Sequence, residues 1–285
     1  MQNTVKQRIT DFLLEVDCKL CTPLRNEQRR FPNVECLLER FRHIRNIIDR
    51  QLQQDNQALI NQAIEITNEL CVAKWILNPE RECNNLIYEP PVQENSGTGK
   101  VRKTIDFCAS MKSGQTVYFD VKTIQPDKVN AWAKFEKIKE RGLLPENFDM
   151  DLEEQSLGGE TWHDSFSSRG RMLEYTVELE KKINNYRSGD KTFFVMIFCS
   201  NGFDWHRDEL EDFADFYSTG CHNPDDPYRK MEQFDLRQKK IKFQNNITAF
   251  CYLERPKTSL RGTKVVCPVQ GPWITNRWRR TEGRI

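Results

Sequence analysis

The sequence predicts an α/β protein with a mixed sheet packed between helices. Three stretches carry that expectation. Segment 104–123, TIDFCASMKSGQTVYFDVKT, alternates apolar and polar residues on either side of a Lys-Ser-Gly turn, the pattern of a hairpin with one buried face. Segment 192–200, TFFVMIFCS, is continuously apolar, as a strand covered on both faces is. Leu59, Ala63, Ile66, Leu70, Ala73 and Leu77 recur at helical spacing and stop at Asn78-Pro79, which marks the strongest helix in the chain.

The elements follow in order. Val5, Ile9, Phe12, Leu13 and Val16 predict one N-terminal helix, and Val34 through Leu52 a second, with residues 25–32 separating them. After the 56–78 helix, NLIYEP (85–90) reads as a short strand. In the hairpin, expected as strands 101–109 and 116–123, Ile105 and Phe107 should share one face and Asp106 the other. Val117, Phe119 and Val121 should lie opposite Asp120 and Lys122. Residues 126–166 are polar and acidic and read as a mobile insertion. Met172, Thr176, Leu179, Ile183 and Tyr186 predict a helix over 167–187, closed by Ser188-Gly189. A helix near 207–218 and strands near 247–253 and 264–269 complete the pattern.

Composition narrows the class. A chain of 285 residues, 38% hydrophobic and 30% charged, is expected to be soluble and globular. It has no run long enough to span a bilayer and no apolar leader at its start, so a cytoplasmic protein without a membrane partner is expected. Its 10 cysteines sit mostly among apolar neighbours and read as small buried hydrophobes. Cys18 and Cys21 form a CxxC pair with Cys36 and His43 downstream, but Cys36 and His43 are spaced more widely than the usual second half of a zinc site. SGTGK (96–100) lacks the outer glycine and the Ser or Thr of a phosphate-binding loop. Charge is segregated: residues 236–285 hold twelve bases against Glu254 and Glu282, after an acidic 204–235. That basic stretch suits a phosphate backbone, or else pairs with the acids before it.

The hairpin carries the chemistry. Asp106, Asp120 and Lys122 occupy neighbouring positions on one sheet face, where two carboxylates repel unless a cation joins them. Magnesium takes such hard oxygen ligands, and a lysine beside it can stabilise developing negative charge on a phosphate. Asp106 followed by Asp120-Val121-Lys122, on a hairpin preceded by one helix and followed by another helix and strand, resembles the PD-(D/E)XK nuclease superfamily. KTIDF (103–107) stands for the first motif, with Ile105 in place of proline. YFDVKT (118–123) stands for the second.

The resemblance covers roughly residues 56–200 and implies an αβββαβ restriction-endonuclease-like core with a mixed sheet. A helical extension (1–55) would precede it, and an α+β extension (201–285) with a basic tail would follow. It further implies Mg²⁺ (or Mn²⁺) bound by Asp106, Asp120, the Val121 carbonyl and a glutamate of the first core helix. Glu69 fits that last place, with Glu65 and Glu89 as substitutes. Lys122 would position or polarise the attacking water. The implied activity is hydrolysis of nucleic-acid phosphodiesters, DNA favoured over RNA, leaving 5′-phosphates, with a homodimer compatible. The rival readings are a catalytically silent nucleic-acid-binding or assembly module on the same fold, and a zinc-stabilised interaction protein built on Cys18, Cys21, Cys36 and His43.

Overall fold

The computed structural model describes residues 2–51, 57–90, 104–124, 131–143, 160–183, 191–199, 207–222, 224, 229–243, 245–253 and 273–275. An α-helix, α1 (Gln2–Val16), runs through a π-helical turn (Asp17–Cys21) into α2 (Thr22–Glu27), so the first half of the expected separator is itself helical. Then come α3 (Val34–Gln51), α4 (Gln57–Ile76) and strands β1 (Cys83–Tyr88), β2 (Phe107–Met111) and β3 (Thr116–Thr123). Helices α5 (Ala131–Glu140) and α6 (Glu160–Ile183) precede β4 (Thr192–Cys199). Helices α7 (Arg207–Thr219) and α8 (Arg229–Lys239) then lead to β5 (Ala249–Leu253) and β6 (Trp273–Thr275).

The strands form one mixed sheet in the order β1-β2-β3-β4-β5-β6. β1, β2 and β3 are antiparallel neighbours, β4 runs parallel to β3, β5 parallel to β4, and β6 antiparallel to β5. Period-two alternation sends Val117, Phe119 and Val121 to one face and Tyr118 to the other, while Val195 and Ile197 oppose Phe194, Met196 and Phe198. The first face is covered by α1 to α4, in a cluster whose members run from Ile9 to Leu253. The second is covered by α6 and α7 through Met172, Leu173, Leu179, Phe213 and Tyr217. The continuous apolar run of β4 is thereby explained: both its faces are buried.

Helix α4 lies between α3 and the sheet, so burial extends beyond its predicted seam to Ile60, Cys71, Val72 and Ile76. Its polar Asn68 is buried with it, and Asn68 Nδ2 donates to Thr123 Oγ1 at 2.5 Å, tying the helix to the end of β3. At the hairpin turn, Gly114 adopts φ +78° while its N–H donates to Met111 O at 3.0 Å. A side chain is disfavoured in that left-handed conformation.

Several expectations need correction. The alternation breaks at Asp106: Ile105 packs in the second cluster and Phe107 in the first, on opposite faces rather than one. The cause is a bend before β2, where Asp106 Oδ2 accepts the Val121 N–H at 2.6 Å and its carbonyl accepts the Glu89 N–H at 2.8 Å. The described strand therefore starts at Phe107, not near 101, and runs on to Met111. The segment 126–166, read as a mobile insertion, contains α5 and the first turns of α6. Helix α8 and strand β6 were not anticipated. The strand expected at 264–269 lies outside the described residues.

Candidate active site

The bend at Asp106 and the C-terminal half of β3 place three charges together. Lys122 Nζ lies 3.0 Å from Asp120 Oδ2 and 3.7 Å from Asp106 Oδ2. Lys182, from the last turn of α6, brings its Nζ to 3.4 Å from Asp120 Oδ1. Asp120 is 1% exposed, whereas the side chains of Asp106 and Lys122 keep 20% and 18% of their surface. Asp120 thus sits at the floor of the cluster, and Asp106 and Lys122 form its accessible rim. Asp120 Oδ2 accepts no well-aligned hydrogen bond among the described residues, although the Lys122 ammonium is within ion-pair distance. A buried carboxylate oxygen in that state retains capacity for a further donor or a cation.

Glu69 approaches from α4. Arg40 Nη1 donates to its Oε1 and Oε2 at 3.1 and 3.0 Å, and the Tyr88 hydroxyl donates to Oε2 at 2.6 Å. Arg40 also lies 3.7 Å from Glu89 Oε1. The glutamate is therefore fixed by α3 on one side and β1 on the other. Glu65, one turn earlier, is exposed; Glu89 is exposed as well, with its backbone in the left-handed region at φ +50°.

The electrostatics follow from burial. Burial pushes the Asp106 carboxyl up to about 6; Lys122 and the Val121 N–H oppose the rise, and Asp120 adds to it. Burial and the nearby Asp106 push Glu69 up to about 7, against Arg40 and the Tyr88 hydrogen bond. Burial disfavours the Lys122 ammonium, but Asp106 and Asp120 outweigh it, so its pKa rises and it stays charged at neutral pH. Burial and Glu69 raise the Tyr88 phenol too, which keeps it a donor. The influence of Asp106 on Glu69, and of Glu69 on Lys122, makes the four groups one electrostatic unit.

Of the residues singled out from sequence, the structure brings Asp106, Asp120 and Lys122 together, with Val121 bonded to Asp106 through its N–H; Glu69 is held by Arg40 and Tyr88 and feels Asp106 and Lys122 only through their charge. The structure leaves Glu65 and Glu89 exposed. Among the described residues, no three carboxylate, imidazole or thiolate groups converge as the ligands of one ion. Sequence reasoning missed Arg40, Tyr88 and Lys182. Arg40 follows a helical seam at an ordinary polar position, and Lys182 looks like half of a solvated Lys-Lys pair. Tyr88, next to Glu89 in a short strand, carried the one legible hint. The cysteines lie apart from the cluster: Cys18 and Cys36 are exposed, and burial pushes the Cys21 thiol up to about 12, a protonated side chain in the apolar core. His43 is exposed.

No helix among the described residues is long and apolar enough to cross a membrane. No family model, characterised protein or solved structure matches the chain.

Proposed function

We propose that this protein is a metal-dependent phosphodiesterase acting on nucleic acid, DNA favoured over RNA, on a restriction-endonuclease-like core. The observation that carries the reading is the convergence of Asp106 and Asp120 on Lys122, with a buried Asp120 oxygen that accepts no hydrogen bond among the described residues. Support for the core comes from α4, three antiparallel strands, α6 and a parallel β4 in the order the sequence resemblance implies.

The donor set fits a hard divalent cation: the carboxylate oxygens of Asp106 at a partly exposed rim and of Asp120 below it, while Met196, the strand neighbour of Asp120, has its sulfur engaged by the Thr176 hydroxyl. Asp106 and Asp120 would hold Mg²⁺ (or Mn²⁺), with the Val121 carbonyl as a further ligand and Glu69 completing or orienting the site. Bound there, Mg²⁺ would supply positive charge against the reacting phosphate and lower the pKa of water it holds. Lys122, held against both carboxylates, would position or polarise the attacking water or meet the phosphate. Arg40 and Tyr88 hold the Glu69 carboxylate in one orientation, which limits its freedom to a single approach.

One observation favours a second reading. Lys122 and Lys182 already neutralise Asp106 and Asp120 without an added ion, as a structural charge cluster in a silent binding module would. Incubating wild-type protein and Asp120→Asn with plasmid, linear duplex, single-stranded DNA and RNA, in Mg²⁺, Mn²⁺ or EDTA, separates the two. The enzyme reading expects metal-dependent products with 5′-phosphate ends that Asp120→Asn abolishes. Intact substrates under every metal condition, with binding equal in both proteins, would establish the silent module instead.

A further inference from the structure

The second strongly charged feature of the surface lies on the side of α6 adjacent to the carboxylate cluster. Lys181 on α6 and Lys239, Lys240 and Lys242 around the end of α8 line a groove of about 240 Å³ with Phe243. All four lysines are exposed, and no ion pair engages them among the described residues. Glu180 is the acid in the groove wall, and it is already engaged, accepting the Tyr217 hydroxyl and the Asn246 N–H. Asp235, one turn before Lys239 on α8, is the other carboxylate that Lys239 influences. The groove therefore keeps a clear excess of positive charge, and a concave wall of one sign focuses its field outward.

The lysines are presented by a rigid support. Helix α8 closes with the Lys240 N–H on Arg237 O at 3.3 Å and the Ile241 N–H on Leu236 O at 2.9 Å, the paired bonds of a Schellman motif. The left-handed position of that motif usually holds glycine; here it holds Lys240 at φ +51°. A non-glycine residue there costs on the order of 1 kcal/mol, so Lys240 places a long cation where local stability favours no side chain. Phe243 anchors the following segment edge-on against Phe216, with ring centroids 5.8 Å apart.

Position connects the groove to the cluster. Lys181 and Lys182 are successive helical residues, about 100° apart around α6. Lys182 reaches in to Asp120, while its neighbour lines the groove. Residues 100° apart on a helix about 10–12 Å across diverge by about 8–9 Å at its surface, which about two to three nucleotides span at about 3.4 Å each.

We propose that this groove is a phosphate clamp for the nucleic-acid strand, gripping it a few nucleotides away from the bond held at Asp106 and Asp120. The inference rests on the nuclease reading for its partner, but its test does not depend on cleavage. Binding of a fluorescent 20-nucleotide duplex and single strand is measured by anisotropy in EDTA, from low to moderate salt. The proteins are wild type, a quadruple Lys→Gln variant at positions 181, 239, 240 and 242, and the matching quadruple Lys→Arg variant. All four side chains are exposed, so melting temperatures should agree. Loss of four phosphate contacts should flatten the logarithmic salt slope for duplex by about 3–4 and weaken binding by about 10²-fold near physiological salt, with Arg restoring both.

Equal affinity and slope in wild type and the Gln variant would overturn the clamp, as would failure of the wild type to bind either strand form. Retention by phosphatidylserine vesicles that the Gln variant loses, with DNA binding unchanged, would reassign the groove to a lipid surface and equally overturn it. A parallel cleavage assay in Mg²⁺ keeps the two readings apart. Binding through the groove without cleavage leaves the clamp standing and removes the nuclease; cleavage with groove-independent binding does the reverse.

Discussion

Replacing Lys122 by Met tests whether the carboxylate pair is built for a cation, independently of any nuclease assay. Lys122 Nζ sits 3.0 Å from Asp120 and 3.7 Å from Asp106. At an effective dielectric of about 20 these contacts amount to about 5 kcal/mol each before the ammonium's own desolvation is subtracted. The net cost is smaller. Asp106 is already raised to about 6, so at pH 7 it takes up a proton for at most about 1.4 kcal/mol more. Asp120 keeps Lys182 at 3.4 Å. Removing one partner of a largely buried pair costs about 3–5 kcal/mol, and the rim exposure of Lys122 reduces that to about 2–4 kcal/mol. In a chain of this size that lowers Tm by about 5–10 °C. Melts in EDTA and in 10 mM MgCl₂ then discriminate. A cation held with a Kd of about 1 mM should return roughly 1.4 kcal/mol to Lys122→Met, and less to wild type, where the ammonium competes for the same carboxylates. An identical Mg²⁺ shift in the two proteins would refute the argument, because the pair would then be a plain ion-pair cluster with no room for a metal.

The sheet was legible because period-two alternation survives in β3 and because β4 is buried on both faces, conditions that write themselves into residue types. The site was legible in part for the same reason: Asp120 and Lys122 lie two apart on one strand, so they must share a face. Asp106 was assigned to the cluster by that strand rule, yet it arrives there by another route. Its side chain bonds the Val121 N–H and turns the backbone, and this moves Ile105 and Phe107 to opposite faces. Alternation cannot reveal such a bend, since an aspartate that bonds the neighbouring strand looks like one facing solvent. Arg40 and Lys182 were illegible for a different reason. Each reaches the cluster from a helix distant in sequence, and only tertiary packing decides which of many polar helix positions points inward.

Two further predictions concern charge inside the fold. Arg169 and Glu232 are 1% and 0% exposed and paired through Arg169 Nε, with His222 Nε2 2.9 Å from the same carboxylate. Glu232→Ala should cost about 3–5 kcal/mol in urea unfolding, whereas Arg169→Met with Glu232→Leu should recover most of it; a single substitution costing under about 1 kcal/mol would contradict this. Asp106→Asn should behave oppositely in metal-free protein. Its carboxyl is raised from 3.8 to about 6, chiefly by burial, so between those values the native state holds a proton that the unfolded chain has released. Stability contributed by this group therefore falls as pH rises through that window, and the penalty is complete above about pH 6. Asparagine cannot ionise, and its carbonyl can still accept the Val121 N–H. In EDTA at pH 7.5, Asp106→Asn should be more stable than wild type by about 1–3 kcal/mol, and the gain should vanish below about pH 4. Adding Mg²⁺ should shrink or reverse the difference, because only the aspartate keeps full affinity for the ion. An asparagine variant less stable than wild type at pH 7.5 in EDTA would mean that Lys122 outweighs burial at Asp106, and the cluster would be a satisfied ion pair in need of no further cation.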